Sequence, residues 1–143
     1  MDRYYTFNAD KFLKDSKNKW RKEKKEIMSE LESITELKAL KNSEVHGSGT
    51  SDPTVETAMK ELEKKKELER IEHYEELCKY AFDNLNELDR DILTKWYYSN
   101  KRMSYIVDMF CNKYNCTPRT VYRMRRIALE AFKKRIEEGE MLW

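Results

Sequence analysis

Helix-breaking residues are almost absent from this chain, and the few present fall in three places. The 143 residues include only three glycines and two prolines, where ordinary usage gives roughly 10 and 7. Gly47, Gly49 and Pro53 share one short stretch, Pro118 stands alone, and Gly139 lies near the end. Charged residues make up 39% of the chain, so apolar side chains are too scarce for one large core. We therefore expect long solvated helices and an all-α fold.

The first breaker-free segment, from Asn8 to Asn42, has an apolar residue at every seventh position. An apolar stripe of this spacing on a helix remains exposed to solvent unless a partner helix packs against it. The partner is either a later segment of the same chain or a second copy in a coiled coil, and the sequence leaves both open. A coiled coil also needs apolar residues at a second position of each heptad. Lys17 and Lys24, four residues after Leu13 and Trp20, place a polar side chain there, which weighs against the coiled coil. The seam consists of Leu13, Trp20, Ile27 and Ile34.

A break near residues 43–53 separates this helix from a second one. Asp52 is a good N-cap and Pro53 suits the first helical position, so a helix should begin there and run towards Asn84. The stretch Gly47–Gly49 is interpreted as a loop, because a phosphate cradle needs a preceding strand and a following Lys-Ser/Thr. Two long helices joined by such a turn predict an antiparallel hairpin. The sequence thus predicts an N-terminal hairpin over residues 1–84, serving oligomerisation or partner contact.

From Leu85 onward the pattern changes to shorter helices, which defines a second predicted domain over residues 85–143. A helix with an apolar face is followed by a polar turn at Ser99–Arg102. Ser104 is the predicted N-cap of the next helix. Thr117 and Pro118 form the predicted cap and first residue of the last helix, which should extend to about Glu138.

Residues 107–126 fit the pattern of a helix-turn-helix. Two helices that cross steeply need a small residue where they touch, and Cys111 is small. Asn115 tolerates the left-handed backbone of a tight turn. No second Cys/His pair stands at zinc spacing, so neither a metal nor another cofactor is expected. The predicted core of the helix-turn-helix is Phe110, Cys111, Tyr114, Cys116, Val121 and Met124.

Charge is distributed unevenly along the chain. Residues 89–135 contain 12 Lys and Arg against 4 Asp and Glu, a net of +8, so the remainder carries −6 of the total +2. A basic segment on an acidic helical body is typical of nucleic-acid binding.

The basic segment divides into two predicted sets of DNA contacts. The N-terminal part of a recognition helix reaches base edges, and arginine donates a forked pair to guanine. The predicted base-reading residues are Arg119, Thr120, Tyr122, Arg123 and Arg126. The predicted phosphate contacts are Lys95, Lys101, Arg102, Ser104, Thr117, Arg125, Lys133 and Lys134.

Three parts of the C-terminal segment resemble region four of bacterial sigma factors, over roughly the last 55 residues. They are Leu85–Leu93, the pair Trp96-Tyr97, and Thr117–Arg123 through Ala128-Leu129. That family's module binds the promoter −35 element. The resemblance therefore implies base-reading roles for Arg119 and Arg123, with Tyr122 and Arg126 nearby.

The order of segments is similar to a narrower family. The linker Gly47–Thr54, between a long helix and a second helix leading into the sigma-like module, resembles phage late-gene transcriptional regulators of the RinA/ArpU type. Those proteins activate packaging, morphogenesis or lysis operons. No segment resembles sigma region two, so the chain is not expected to act as a complete sigma factor. Contact with host RNA polymerase is left open.

Three classes of function follow from these patterns. The leading hypothesis is a sequence-specific regulator of transcription that binds double-stranded DNA. The alternative is a small-terminase-like protein that recognises a phage packaging site, and the third is a helical adaptor without a DNA role. No carboxylate pair, nucleophile-base set or metal spacing stands out, so no enzymatic activity is expected. Three cysteines, without an export signal or a membrane-spanning run, predict a cytoplasmic location and no membrane partner. The resemblance to phage regulators implies that this is the cytoplasm of a bacterial host.

Overall fold

The computed structural model describes residues 7–44 and 51–142, with the side chains of residues 41–44 and 51–54 excepted. Within these ranges all regular structure is α-helical, in agreement with the predicted all-α class. The predicted loop at Gly47–Gly49 lies outside the described residues. None of the described helices has an apolar stretch long enough to cross a bilayer. The helices are α1 (Ala9–Asn18), α2 (Trp20–Glu44), α3 (Ser51–Asp83), α4 (Glu87–Tyr98), α5 (Met103–Tyr114) and α6 (Pro118–Met141).

The start of α3 lies close to its predicted position. The helix begins at Ser51, so Asp52 and Pro53 fall in its first turn instead of at its boundary. Its end at Asp83 is one residue from the predicted Asn84. The predicted capping role of the Asp52 side chain lies outside the described residues.

The N-terminal segment is two helices, and the prediction of one continuous helix is wrong. The chain turns at Lys19, between α1 and α2. No glycine or proline stands there, so no local signal marks the break. The cause is tertiary: α1 packs on α4 and α6, and this packing buries Phe12 and Leu13 completely.

Residues 19–74 form one compact unit, made of α2 and the larger part of α3. The two helices are antiparallel, because contacts move towards the start of α3 as they move along α2. Trp20, the first residue of α2, contacts Tyr74 with ring centroids 5.8 Å apart. Farther along α2, Glu30 pairs with Lys64 at 2.8 Å, and Lys38 pairs with Glu61.

Burial in this unit is concentrated at one end. Trp20 and Ile27 of the predicted seam are buried, but Ile34 is only half-buried. Leu37 and Leu40, farther along α2, are more than half exposed. Among the described residues, burial of the seam therefore decreases along α2 from Trp20 to Ile34.

The second compact unit contains α1, the last turns of α3 from Glu75, and α4 to α6. The predicted boundary at residue 84 differs from this division, because α1 and the end of α3 pack with the C-terminal helices. Gly139 of α6 illustrates how closely: a Cβ atom there would lie 2.9 Å from the Tyr80 ring. The largest fully buried side chains of this unit are Phe12, Leu13, Leu77, Ile92, Leu93, Ile106, Phe110, Val121, Phe132 and Ile136.

Side-chain hydrogen bonds stabilise the junction between α3 and α4. Asn86 is the N-cap of α4, and its Oδ1 accepts a hydrogen bond of 2.8 Å from the backbone N–H of Asp89. The Arg90 guanidinium donates to three carbonyl oxygens at the end of α3 and just after it, which satisfies groups that a helix end leaves unpaired. Those oxygens belong to Phe82, Asp83 and Leu85.

Candidate nucleic-acid interface

The turn between α5 and α6 has the backbone that the sequence predicts. Asn115 adopts the left-handed conformation, with φ 50° and ψ 55°. The backbone N–H of Cys116 then donates to the Cys111 carbonyl at 3.1 Å, which is the six-residue hydrogen bond of a Schellman ending. The Cys116 thiol lies 3.8 Å from the Phe110 carbonyl oxygen and faces the Cys111 thiol. This confirms the turn and the placement of Cys116 inside it.

The start of α6 is capped as predicted. Thr117 is the N-cap, its hydroxyl accepts from the backbone N–H of Thr120, and Pro118 is the first helical residue. The hydroxyls of Thr117 and Thr120 lie 3.2 Å apart. A well-formed first turn fixes the direction in which the following arginines leave the helix.

The predicted core between α5 and α6 is correct in part. Phe110 and Val121 are fully buried, and Cys111, Cys116 and Met124 are half-buried. Tyr114 is 40% exposed, so its assignment to the core is wrong. As the last residue of α5, it stacks flat on Phe110, with centroids 5.9 Å apart, and the Lys113 ammonium lies over its ring.

The predicted base-reading residues share the exposed face of the first turns of α6. Arg119, Tyr122, Arg123 and Arg126 are exposed. Thr120 is half-buried, and its hydroxyl is engaged with the cap. The Tyr122 ring meets Trp96 of α4 edge to face, at 5.5 Å between centroids. The structure therefore brings three arginines and one tyrosine together on an open helical surface.

Most of the predicted phosphate contacts are also at the surface. Lys101 and Arg102 precede α5, and Arg102 occupies its N-cap position without a side-chain hydrogen bond. The prediction that Ser104 caps this helix is wrong, because α5 begins one residue before it, at Met103. The exposed members of the set are Lys95, Lys101, Arg102, Ser104, Thr117, Lys133 and Lys134.

Arg125 is the exception, because its side chain is engaged within the fold. Its guanidinium pairs with the Asp10 carboxylate at 2.9 Å and donates to the Tyr97 hydroxyl at 3.0 Å. It also lies over the Trp96 ring, 4.9 Å from the centroid. The side chain is only 26% exposed. Arg125 therefore joins α6 to α1 and α4.

Asp10 and Tyr97 complete this cluster, and neither was among the predicted site residues. The Tyr97 hydroxyl donates to Asp10. Burial raises the pKa of Tyr97, and acceptance by Asp10 adds to that effect. Burial alone would raise the pKa of Asp10, but hydrogen bonds from Tyr97 and Lys14, with the charges of Lys14 and Arg125, leave it lowered. Asp10 is therefore held ionised beside Arg125.

Comparison with known proteins adds no relative. No family model, no curated protein and no solved structure matches the chain. Across residues 7–44 and 51–142, no group of three or more His, Cys, Asp or Glu side chains is arranged to hold a metal ion. The candidate site therefore rests on the exposed basic face of α6 and its surroundings.

Proposed function

We propose that this protein is a sequence-specific regulator of transcription that binds double-stranded DNA. In this proposal α5, its turn and α6 form a sigma region-four-like helix-turn-helix, preceded by a helical hairpin as in phage late-gene activators of the RinA/ArpU type. One observation carries it: Arg119, Arg123 and Arg126 are exposed on the first turns of a capped helix that follows a left-handed turn. Such a helix presents its N-terminal residues to base edges in the major groove.

The basic residues around this helix support a second set of contacts, to the phosphates of the DNA backbone. Lys101, Arg102 and Ser104 lie at the exposed start of α5, where backbone N–H groups and the helix dipole also favour phosphate. Contacts of this kind set affinity and register, while base contacts set sequence preference. A protein that makes both phosphate and base contacts binds any duplex weakly in low salt and one sequence tightly near physiological salt.

Selection of bound sequences from a random duplex library tests the proposal. Near physiological salt we expect one enriched motif. On that motif, Arg119→Ala and Arg123→Ala should each weaken binding roughly 5- to 150-fold, the range given by about 1–3 kcal/mol per bidentate contact, and should broaden the base preference at one position. Because both side chains are exposed, thermal stability should not change.

A control variant and a contrary result make the test decisive. Lys60→Ala with Lys66→Ala removes two exposed charges from α3, and it should leave the motif and its affinity unchanged. Enrichment of no motif, with only a generic salt dependence, would contradict a specific regulator. A motif found at a packaging site instead of a promoter would favour the small-terminase-like alternative.

The proposal also includes partners and a location. It places the protein in the cytoplasm of a bacterial host, where it acts with host RNA polymerase at late promoters. Self-association through α2 and α3 would present two modules to one site. The exposed side chains of Leu37 and Leu40 of α2 support this part of the proposal, because exposed large apolar side chains favour a partner surface.

A further inference from the structure

A cleft of about 390 Å³ lies between α1, α4 and the recognition helix α6. Tyr122, which the proposed function assigns to base reading, lines it together with Met103, the first residue of α5. Lys14 and Lys17 of α1 line the same cleft. The cleft therefore joins the reading face to a helix that lies far from it in sequence.

The two lysines extend the basic surface around the start of α5. Lys14 is 63% exposed, and its ammonium lies 3.0 Å from the Asp10 carboxylate. Lys17 donates to the Asn100 side chain, in the loop between α4 and α5. Lys101 and Arg102 follow directly in that loop. Cationic groups from α1 and from the loop thus stand beside one another.

The position of α1 is fixed by buried contacts. Phe12 and Leu13 are fully buried against the C-terminal helices. The Ser16 hydroxyl lies 2.8 Å from the Tyr98 hydroxyl of α4, and the Asp10–Arg125 pair joins α1 to α6. Lysines on a helix held in this way offer charges at fixed positions, which lowers the ordering cost of binding.

We propose that Lys14 and Lys17 bind backbone phosphates of the DNA strand that flanks the groove read by α6. This inference rests on the proposed function and adds α1 to its interface. The major groove is about 12 Å wide and is bordered by phosphates on both sides. A duplex whose base edges meet Arg119 and Tyr122 therefore carries a phosphate strand along one flank of α6. Lys14 and Lys17 line the same cleft as Tyr122, so they are placed to meet that strand.

Trp96 and Tyr97 of the cleft are already engaged, which does not favour stacking of unpaired bases on them. The Arg125 guanidinium lies over both rings, 4.9 Å and 5.9 Å from their centroids, and the Trp96 and Tyr122 rings meet edge to face. Single-strand binding needs aromatic faces open to bases. Lys14 and Lys17 give the cleft the positive charge that a phosphate backbone requires.

The test measures the salt dependence of duplex binding by the full chain carrying Lys14→Gln and Lys17→Gln. Each phosphate contact contributes about 0.9 to the slope of log affinity against log salt, so the double variant should lose roughly 1.8 from the slope. At about 0.15 M salt this corresponds to a loss of affinity of roughly thirtyfold. The order of preference among sequences should stay as in the wild type, because phosphates carry no base identity.

Two control variants separate the effect of losing these charges from any effect on the fold. Lys14→Arg with Lys17→Arg keeps both charges and should restore the slope. Lys11→Gln with Lys79→Gln removes two exposed lysines of the same compact unit outside the cleft, and it should leave the slope unchanged. Thermal unfolding of each variant establishes that the fold is intact.

The possible failures are distinguishable. If the wild type binds duplex DNA but the double glutamine variant keeps the wild-type slope, the role of α1 is wrong and the proposed function stands. If the wild type binds no duplex at all, both fail. A loss confined to single-stranded oligonucleotides would overturn the phosphate assignment in favour of base stacking.

Discussion

A salt bridge between Asp10 and Arg125 fastens α1 to the proposed recognition helix. The Arg125 guanidinium is mostly buried, and its Nε has no hydrogen-bond partner among the described residues. The positive charge is therefore compensated mainly by one carboxylate and one hydroxyl, those of Asp10 and Tyr97. Removing a partner from a buried charge costs more than the pair contributes in net terms.

We expect Asp10→Asn to lower the free energy of unfolding by about 1.5–3 kcal/mol, the usual range for a hydrogen bond to a charged group. The amide keeps the shape of the side chain but leaves Arg125 without a counter-charge. Urea unfolding at neutral pH measures the difference. Asp83→Asn, at an exposed position at the end of α3, is the control and should stay within a few tenths of a kcal/mol.

The same pair makes stability depend on pH. The pKa of Asp10 is lowered in the folded protein from the ordinary value of 3.8, so the folded state keeps the carboxylate ionised to lower pH than the unfolded chain. Its contribution is full well above pH 3.8 and is lost as the pH falls through the folded pKa. The stability gap between wild type and Asp10→Asn should therefore shrink below pH 4. A gap constant from pH 7 to pH 3 would contradict the ionised pair.

At the scale of elements, the turn between α5 and α6 depends on Asn115. Its φ of 50° lies in the left-handed region, which costs a residue with a Cβ roughly 1–2 kcal/mol unless its side chain compensates. Asn115→Gly should therefore match or exceed wild-type stability, and Asn115→Ala should lose about 1 kcal/mol in urea unfolding. Asn112→Ala, within α5 and exposed, should cost nothing, because alanine is the better helix former. Equal losses at both positions would mean that the turn conformation is not the cause.

The sequence allowed the C-terminal helices to be predicted more closely than the N-terminal ones, for a physical reason. Thr117, Pro118 and Asn115 each favour one local backbone conformation. Their roles can therefore be predicted from the residue types in a short segment of sequence. The break at Lys19 has no such signal, because it follows from which helices α1 packs against. For the same reason the Asp10–Arg125 pair could not be predicted: its members are 115 residues apart.

At the scale of the whole molecule, α2 and α3 expose several large apolar side chains. Burial is complete around Trp20 and Tyr74 but is lost towards the other end of the pair. The exposed large apolar residues of this compact unit are Met28, Leu37, Leu40, Val55, Met59 and Leu62, each more than half exposed. The seven-residue seam predicted a partner for the whole of α2, and among the described residues of α2 the seam is buried only at Trp20 and Ile27.

We expect the protein to self-associate through these exposed side chains, as a dimer or larger oligomer whose weight-average mass rises with concentration in light scattering. Leu37→Glu with Leu40→Glu should shift the protein towards the monomer, because charges replace exposed apolar surface. Thermal stability of the monomer should be little changed, since both side chains are already exposed. Met141→Glu removes an apolar side chain that is 88% exposed on α6, and it should leave the association intact. A wild type that stays strictly monomeric at high concentration would contradict self-association, and the helix-turn-helix would then have to bind its site as a single module.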